Sequence, residues 1–286
     1  MLIDIDSLDA MGRVLFVDAR IREDYEAGHI PGALHLDTFG YTNENTRDAV
    51  IAERLSDWQG MFVSVGITAD DTVVFYDVGT ENRCARPAFM LSAMGHERVY
   101  VLHGGMCAWI DSGRDVSSVE VSRAAVDRAA LRIREDARFR ERLIGIDGVT
   151  RVLASGAVKL LDVRPSIEFM GKLCVQDNPR LGHIPGARSF EWSRFLRGRE
   201  NYPRQAGTAR AGGMLFERFR PWQEVSDALR AMGFSDREDE VVVYCQKSHR
   251  ASNTFLALER LGYVNAKVYI GSFREWCRHS SVPVEV

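Results

Sequence analysis

The 286-residue sequence contains no apolar run that approaches the ~20 residues needed to cross a membrane as a helix. Its longest apolar runs, such as Val241–Cys245, have the length of a strand. Acidic residues stand within Met1–Arg20, where a secretory signal requires a basic start and an unbroken apolar stretch. We therefore expect a soluble, cytoplasmic protein without a membrane partner.

Cysteine is scarce and its spacing matches neither a disulfide framework nor a zinc site. The five cysteines are an odd number, with no CxxC motif among them. This pattern favours a reduced compartment and at least one free thiol, and we expect no metal and no organic cofactor. The cysteines are Cys84, Cys107, Cys174, Cys245 and Cys277.

A strong charge of either sign is also lacking. The formal net charge is −3 and the sequence pI is about 6.2, so no basic field exists to attract nucleic acid. Nucleic acid is therefore not expected as a partner. Hydrophobic residues make up 45% and charged residues 27% of the chain, which is typical of a globular protein.

The chain is an imperfect internal duplication. Four blocks recur in the same order in both halves, and their length suits two domains of roughly 100–150 residues each. The pairs are Val14–Arg20 with Lys159–Arg164, Gly28–Ala33 with Gly182–Ala187, Thr72–Asp77 with Val241–Cys245, and Ala93–Trp109 with Arg260–Trp276.

Each half alternates short apolar runs with amphipathic stretches, which predicts an α/β fold built on a mainly parallel sheet flanked by helices. We place the domains at 1–122 and 143–286. The linker, 123–142, holds seven arginines and four acidic residues. It is interpreted as a solvated helix or an extended strap, with a basic docking patch as the alternative.

Cys245 has the most distinctive setting in the sequence. It follows the apolar run Val241–Tyr244 directly and precedes a stretch with helical spacing, Arg250–Leu261. The thiol is therefore predicted at the C-terminal edge of a sheet, in a short loop that opens onto a helix N-terminus, where ligands bind in such folds. The helix N-terminus and the cations Lys247 and Arg250 favour a thiolate nucleophile.

A cysteine at a strand end is usually a small buried hydrophobic residue. The basic loop argues against that reading for Cys245, whereas the other four cysteines lack such a setting and are predicted to be packing residues or bystanders. His29 and His183 occur in the repeated Gly-His-Ile-Pro-Gly-Ala block of both halves. We interpret both as structural residues of a turn.

The repeated Asp-x-Arg and Gly-His-Ile-Pro-Gly-Ala blocks, the Cys-x4-Arg loop and Gly271–Trp276 resemble the tandem-domain rhodanese family of thiosulfate and 3-mercaptopyruvate sulfurtransferases. The likeness implies two tandem rhodanese-like domains, of which the first is catalytically silent. Asp77 in the position of Cys245 agrees with this. It also implies that Asp162 positions the loop by pairing with Lys247, while Asp18 and Arg20 are structural. A structural salt bridge is the alternative for Asp162.

The predicted site contains eight residues. Four are predicted to be catalytic and four to bind substrate or shape the loop. They are Cys245, Arg250, Lys247 and Asp162, and then Gln246, Ser248, His249 and Arg164.

The expected reaction carries sulfur from thiosulfate through a Cys245 persulfide to cyanide or a thiol. Lys247 favours thiosulfate, because thiosulfate-type members of the family that this sequence resembles have a lysine at this position. The loops of mercaptopyruvate-type members carry no charge. Two departures from the family pattern, Glu168 in place of an arginine and Ile270 before the final glycine, leave the donor open. The alternatives are mercaptopyruvate as donor, a non-catalytic persulfide carrier or interaction module, and a cysteine phosphatase or arsenate reductase, whose loops follow Cys-x5-Arg.

Overall fold

The computed structural model describes residues 1–79, 82–134, 139–156, 158–175, 178–198 and 216–286. The chain divides into two compact units that follow the two halves of the sequence, apart from two exchanged segments. Tyr41–Arg54 belongs to the second unit and Leu196–Phe219 to the first. The predicted domain boundaries, 1–122 and 143–286, do not include either exchange.

The first unit is built on a sheet of five parallel strands. These are β1 (Leu2–Ile3), β2 (Leu15–Asp18), β3 (Leu34–His35), β4 (Val73–Tyr76) and β5 (Val99–Leu102). Their order in the sheet is β1-β5-β4-β2-β3. The helices of this half are α1 (Arg22–Ala27), α2 (Ile51–Ser64), α3 (Ala85–Ala93) and α4 (Gly105–Asp111). The first turn of α2 lies in the segment that belongs to the second unit.

The second half repeats this architecture. Its strands are β6 (Leu143–Ile144), β7 (Lys159–Asp162), β8 (Arg188–Ser189), the antiparallel pair β9 (Leu196–Gly198) and β10 (Phe216–Phe219) of the exchanged segment, β11 (Val241–Tyr244) and β12 (Ala266–Tyr269). The parallel sheet has the order β6-β12-β11-β7-β8, which matches the first sheet strand for strand. The helices are α5 (Ile146–Ser155), α6 (Ser166–Phe169), α7 (Trp222–Ala231), α8 (His249–Arg260) and α9 (Ser272–Trp276).

The apolar runs of the sequence form the central strands. Every residue of β4 and of β11 is fully buried, as expected for strands that are covered on both faces of a parallel sheet. In α2, Leu55, Trp58 and Phe62 recur at helical spacing and are buried. The predicted α/β fold with two parallel sheets is confirmed.

The Asp-x-Arg block forms the same buried ion pair in each half. Arg20 Nη2 lies 2.6 Å from Asp18 Oδ2, and Arg164 Nη2 lies 2.6 Å from Asp162 Oδ2. Both guanidinium groups also donate, over 2.7 Å, to the carbonyl oxygen of the glycine that opens the Gly-His-Ile-Pro-Gly-Ala block. The Asp-x-Arg block therefore connects the end of an interior strand to the Gly-His-Ile-Pro-Gly-Ala turn in both units.

The two histidines of the repeated block have local partners. His29 Nδ1 lies 2.7 Å from the Tyr25 carbonyl oxygen, and His183 Nδ1 lies 3.0 Å from that of Phe169. Each imidazole also stacks on the ring of the same aromatic residue, with centroids 3.9 and 3.6 Å apart. These contacts agree with the structural interpretation of both histidines.

The part of the predicted linker that the structure describes is largely irregular chain packed on the first unit. Arg123 Nη1 pairs with Asp71 Oδ1 at 2.8 Å, and Arg128 Nη1 donates to the Ser56 carbonyl oxygen over 2.6 Å. Residues 135–138 of the linker lie outside the described residues. The observed segment corresponds to the extended strap.

Among the described residues, no helix is both long enough and apolar enough to span a membrane.

Candidate active site

Cys245 lies immediately after β11, in the middle of the second sheet, and α8 begins four residues later. β7 is the neighbour of β11, with Tyr244 opposite Asp162. The structure therefore confirms that Cys245 stands at the C-terminal edge of a parallel sheet, beside the strand of Asp162. This is the edge at which α/β proteins bind ligands.

The loop that carries Cys245 is held by the turn after β12. Phe273 N–H donates to the Cys245 carbonyl oxygen over 2.9 Å, and Arg274 N–H donates to that of Gln246 over 3.1 Å. In return, Cys245 N–H donates to Ser272 Oγ over 3.3 Å, and the Ser272 hydroxyl donates to the Tyr269 carbonyl oxygen over 2.9 Å. Hydrogen bonds between the loops that follow β11 and β12 thus fix the backbone of Cys245.

Backbone strain is concentrated at this loop. Among the described residues other than glycine, the two with positive φ are Ser248, at 67°, and Ser272, at 54°. A left-handed conformation costs a residue with a Cβ about 1–2 kcal/mol, so it persists only where the surrounding contacts enforce it. Ser248 ends the turn that leads into α8, and Ser272 contacts the amide of Cys245. Both strained residues therefore shape the surroundings of the thiol.

The guanidinium of Arg250 interacts electrostatically with Cys245. Its Nη1 also donates to Glu168 Oε1 over 3.0 Å. Burial opposes the positive charge, but the nearby Cys245 and Glu168 favour it and raise the pKa of the Arg250 guanidinium above its ordinary value. Cys245 is 1% exposed, so this cation faces it in a largely desolvated setting.

Of the other predicted loop residues, Lys247 is half-buried and His249 is buried. The Ser248 hydroxyl donates to the Lys247 carbonyl oxygen over 2.6 Å and thereby supports the turn. The Gln246 side chain is directed at Asn178, with amide contacts of 2.9 and 3.2 Å. Gln246 therefore anchors the loop to a neighbouring segment.

Asp162 and Arg164 are engaged with each other, in the geometry that their counterparts show in the first half. This supports the structural alternative for Asp162. A further effect of Asp162 on the loop through Lys247 stays a prediction.

In the first half, the loop that corresponds to the Cys245 loop donates two of its amides to the carboxylate of its own first residue, Asp77. Asp77 Oδ1 accepts the amide of Gly79 over 2.9 Å, and Oδ2 accepts that of Arg83 over 2.8 Å. The carboxylate thus occupies amides that an anionic ligand would require. The Arg83 guanidinium pairs with Asp37 at 2.9 Å and lies 4.2 Å from the ring centre of Phe39. Thr80 and Glu81 of this loop lie outside the described residues.

Comparison with known proteins agrees with this duplicated architecture. The model of the rhodanese-like domain matches twice, at residues 4–112 and 147–279. The chain belongs to the rhodanese-like family. It is a tandem-domain sulfurtransferase of the rhodanese type.

Named relatives cover most of the chain. It is 30% identical over 272 residues to a thiosulfate sulfurtransferase of Corynebacterium glutamicum, covering 91% of this chain and 81% of the relative. It is 32% identical over 288 residues to a putative thiosulfate sulfurtransferase of Mycobacterium tuberculosis, covering 96% and 92%. A crystal structure of a probable thiosulfate sulfurtransferase superposes with a TM-score of 0.69 at 26% identity, over 96% of this chain and 98% of that one.

Sequence reasoning missed Ser272. In the first rhodanese-like domain its counterpart is Gly105, which has the same left-handed backbone, with φ at 48°. A Cβ at Gly105 would lie 2.4 Å from the Asp77 carbonyl oxygen. The second domain therefore carries a hydroxyl where glycine would suit the backbone better, and the aligned repeats contain that signal as a glycine-to-serine change.

A second missed feature is the contact between the exchanged segment Tyr41–Arg54 and α9. Thr46 donates to Glu275 twice, from its amide to Oε1 and from its hydroxyl to Oε2, each over 2.5 Å. Thr46 Oγ1 also accepts the amide of Ile146 over 3.0 Å, and the Tyr269 hydroxyl donates to Glu275 over 2.8 Å. Glu275 closely follows Phe273 and Arg274, which hold the Cys245 loop. This buried network therefore helps to fix the segment that holds the loop.

The first prediction concerns the Asp77 loop of the first domain, which is predicted to be catalytically silent. Asp77→Cys, made together with Cys245→Ser, should not create a sulfur-binding thiol, because the Arg83 guanidinium is engaged with Asp37 and no lysine stands in this loop. The intact mass after incubation with thiosulfate should equal that of the Cys245→Ser chain treated in the same way. One added sulfur atom in the double variant would contradict the explanation given for the silence of the first domain.

The second prediction concerns Thr46. Burial raises the pKa of Glu275 above its ordinary value, while the two Thr46 donors act against the increase. The folded state therefore favours the neutral acid, and this contribution to stability is complete below the ordinary pKa of glutamate and is lost as pH rises through the raised pKa. Thr46→Val removes a donor that favours the carboxylate. It should lower the free energy of unfolding by about 1–2 kcal/mol more at neutral pH than in acid.

Urea unfolding at a series of pH values measures this difference. The matched control is Thr46→Val in a Glu275→Gln background, in which the cost of the substitution should not depend on pH. A pH-independent cost in the presence of Glu275 would show that Thr46 does not interact with the ionised carboxylate.

Proposed function

We propose that this chain moves the outer sulfur of thiosulfate to a thiol or cyanide through a persulfide on Cys245. The observation that carries the proposal is the contrast between the two loops. In the second domain a thiol stands beside the guanidinium of Arg250, whereas in the first domain a carboxylate occupies the loop amides. A thiol can hold a transferable sulfur atom and a carboxylate cannot.

In the first half-reaction, the Cys245 thiolate attacks the outer sulfur of thiosulfate. The sulfur–sulfur bond of the donor breaks, and sulfite leaves with the bonding electron pair. In the second half-reaction, the acceptor attacks the sulfane sulfur and Cys245 leaves as a thiolate. The two steps form a double displacement with ping-pong kinetics and need no metal or organic cofactor.

Charge supports thiosulfate as the donor. Arg250 and the half-buried Lys247 supply two cations in the loop, which suits a dianion with a sulfonate group. Glu168 offsets part of this field, because it pairs with Arg250. 3-Mercaptopyruvate, with one carboxylate, is the second candidate donor, and the Glu168–Arg250 pair is the observation that favours it.

The loop length argues against phosphatase or arsenate reductase activity. Cys245 and Arg250 are separated by four residues, one fewer than in loops that enclose a tetrahedral phosphoryl group. A pure interaction module is disfavoured because the reactive thiol is retained in the domain whose loop is strained around it. A persulfide carrier that passes sulfur to a partner thiol uses the same intermediate.

The third prediction tests the nucleophile. Cys245→Ser should abolish thiosulfate:cyanide sulfur transfer and leave the circular dichroism spectrum and the unfolding midpoint close to those of the wild type, because a hydroxyl cannot hold the transferable sulfur. Cys174→Ser is the matched control, since Cys174 is exposed and should be dispensable. Turnover that persists in Cys245→Ser would remove the basis for the proposed function.

The fourth prediction concerns donor choice. Lys247→Ser should lower kcat/KM for thiosulfate about ten- to a hundredfold, which corresponds to about 1.5–3 kcal/mol for one charged contact. The loss for mercaptopyruvate should be smaller, because Arg250 and the N-terminus of α8 can meet its single carboxylate.

Lys267→Ser provides the control for loss of one positive charge, because Lys267 lies near the start of β12, at the opposite end of the sheet, and pairs with Glu240. Both specificity constants are measured in each variant. Unchanged thiosulfate turnover in Lys247→Ser would mean that Lys247 does not contact the donor, and the preference for thiosulfate would lose its support.

A further inference from the structure

Glu168 has a buried carboxylate oxygen whose use the reaction described above does not explain. The residue lies on α6 and is 6% exposed. Its Oε1 accepts from Arg250 over 3.0 Å, but its Oε2 is buried without a hydrogen-bond partner among the residues that the structure describes. A buried polar atom without a partner costs about 1–3 kcal/mol, and more when it is charged. Such an atom calls for a ligand that donates to it.

The same guanidinium connects the carboxylate group of Glu168, through Oε1, to the reacting sulfur. Arg250 interacts with both Cys245 and Glu168, so the thiol and the carboxylate flank one cation. Once Cys245 carries an anionic persulfide, it and Glu168 hold two negative charges, which the two cations of the loop, Arg250 and Lys247, balance. An anionic acceptor adds a third negative charge in a desolvated setting, whereas a neutral acceptor that donates a proton does not.

We propose that Glu168 is a catalytic residue of the second half-reaction, in which its Oε2 accepts the S–H proton of a thiol acceptor. This proposal rests on the persulfide chemistry proposed above and names the acceptor class. It makes thiols, and not cyanide or another anion, the acceptors for which the site is built.

The step balances without an oxidant or a reductant. The proton of the thiol moves to Glu168 Oε2 as the electron pair of its sulfur forms a bond to the sulfane sulfur. The sulfur–sulfur bond to Cys245 breaks, and its electron pair returns Cys245 to the thiolate. The transferred sulfur keeps its negative charge and takes the proton from Glu168 as the product hydropersulfide leaves.

The experiment measures discharge of the persulfide in a single turnover. The chain is loaded with thiosulfate, freed of excess donor, and mixed at one neutral pH with trifluoroethanethiol, 2-mercaptoethanol or ethanethiol, which are uncharged thiols of increasing pKa. Sulfite, an anion that attacks sulfur without giving up a proton, is the fourth acceptor. Loss of one sulfur atom is followed by intact mass.

Glu168→Gln keeps the size of the side chain and removes its charge and the proton acceptor at Oε2. Discharge to 2-mercaptoethanol and ethanethiol should slow by about a hundredfold or more, the lower end of what a positioned base contributes. The defect should grow along the thiol series, because the variant depends on thiol that is already ionised. Discharge to sulfite should be unchanged or faster, since a negative charge has been removed.

Asp24→Asn is the matched control, because Asp24 holds the position of Glu168 in the silent domain and is also buried. Its discharge rates should equal those of the wild type with all four acceptors. Should Glu168→Gln fail to load sulfur, the same ratios are measured in Glu168→Asp, which withdraws the carboxylate by one methylene and should show the same trend.

The outcomes separate the two proposals. If the wild-type chain takes up no sulfur from thiosulfate, the proposed function fails. If it loads sulfur, but Glu168→Gln discharges to thiols at the wild-type rate or slows equally for thiols and sulfite, Glu168 does not accept the proton and this inference is overturned.

Discussion

The site depends on two backbone hydrogen bonds, from the amides of Phe273 and Arg274 to the carbonyl oxygens of Cys245 and Gln246. They fix the loop after β11 to the turn after β12. The first domain forms the same pair, from Met106 and Cys107 to Asp77 and Val78. The loop scaffold is therefore common to both domains.

The two domains differ in the side chains that this scaffold presents. In the first domain Asp77 turns back onto the amides of its own loop, so that a fixed carboxylate takes the place of a ligand. In the second domain the corresponding residue is Cys245, which interacts electrostatically with Arg250. One domain thus carries a thiol at this position, and the other carries an internal anion.

The repeated blocks and the buried strands could be predicted because their causes are local. An apolar run of four or five residues favours a strand covered on both faces, and a cysteine between such a run and a basic helical start has few structural explanations. For Asp162 the sequence left a structural salt bridge as the alternative to pairing with Lys247, and the structure shows an ion pair with Arg164, two residues away.

The remaining features depend on contacts between residues far apart in the chain. Thr46 meets Glu275 only because the segment Tyr41–Arg54 packs with the second unit, and no local pattern records that exchange. The buried oxygen of Glu168 likewise becomes visible only when α6 and α8 are placed together. At the sequence level Glu168 is a departure from a family pattern, whereas in the structure it is a partner of the cation beside the thiol.

The most direct test of the account is to locate the sulfur. After incubation of the wild-type chain with thiosulfate and removal of excess donor, peptide mapping under non-reducing conditions should find one added sulfur atom, on the peptide that contains Cys245, and a thiol should remove it. The account is contradicted if the sulfur resides on another cysteine, or if the chain gains none under conditions in which it is folded.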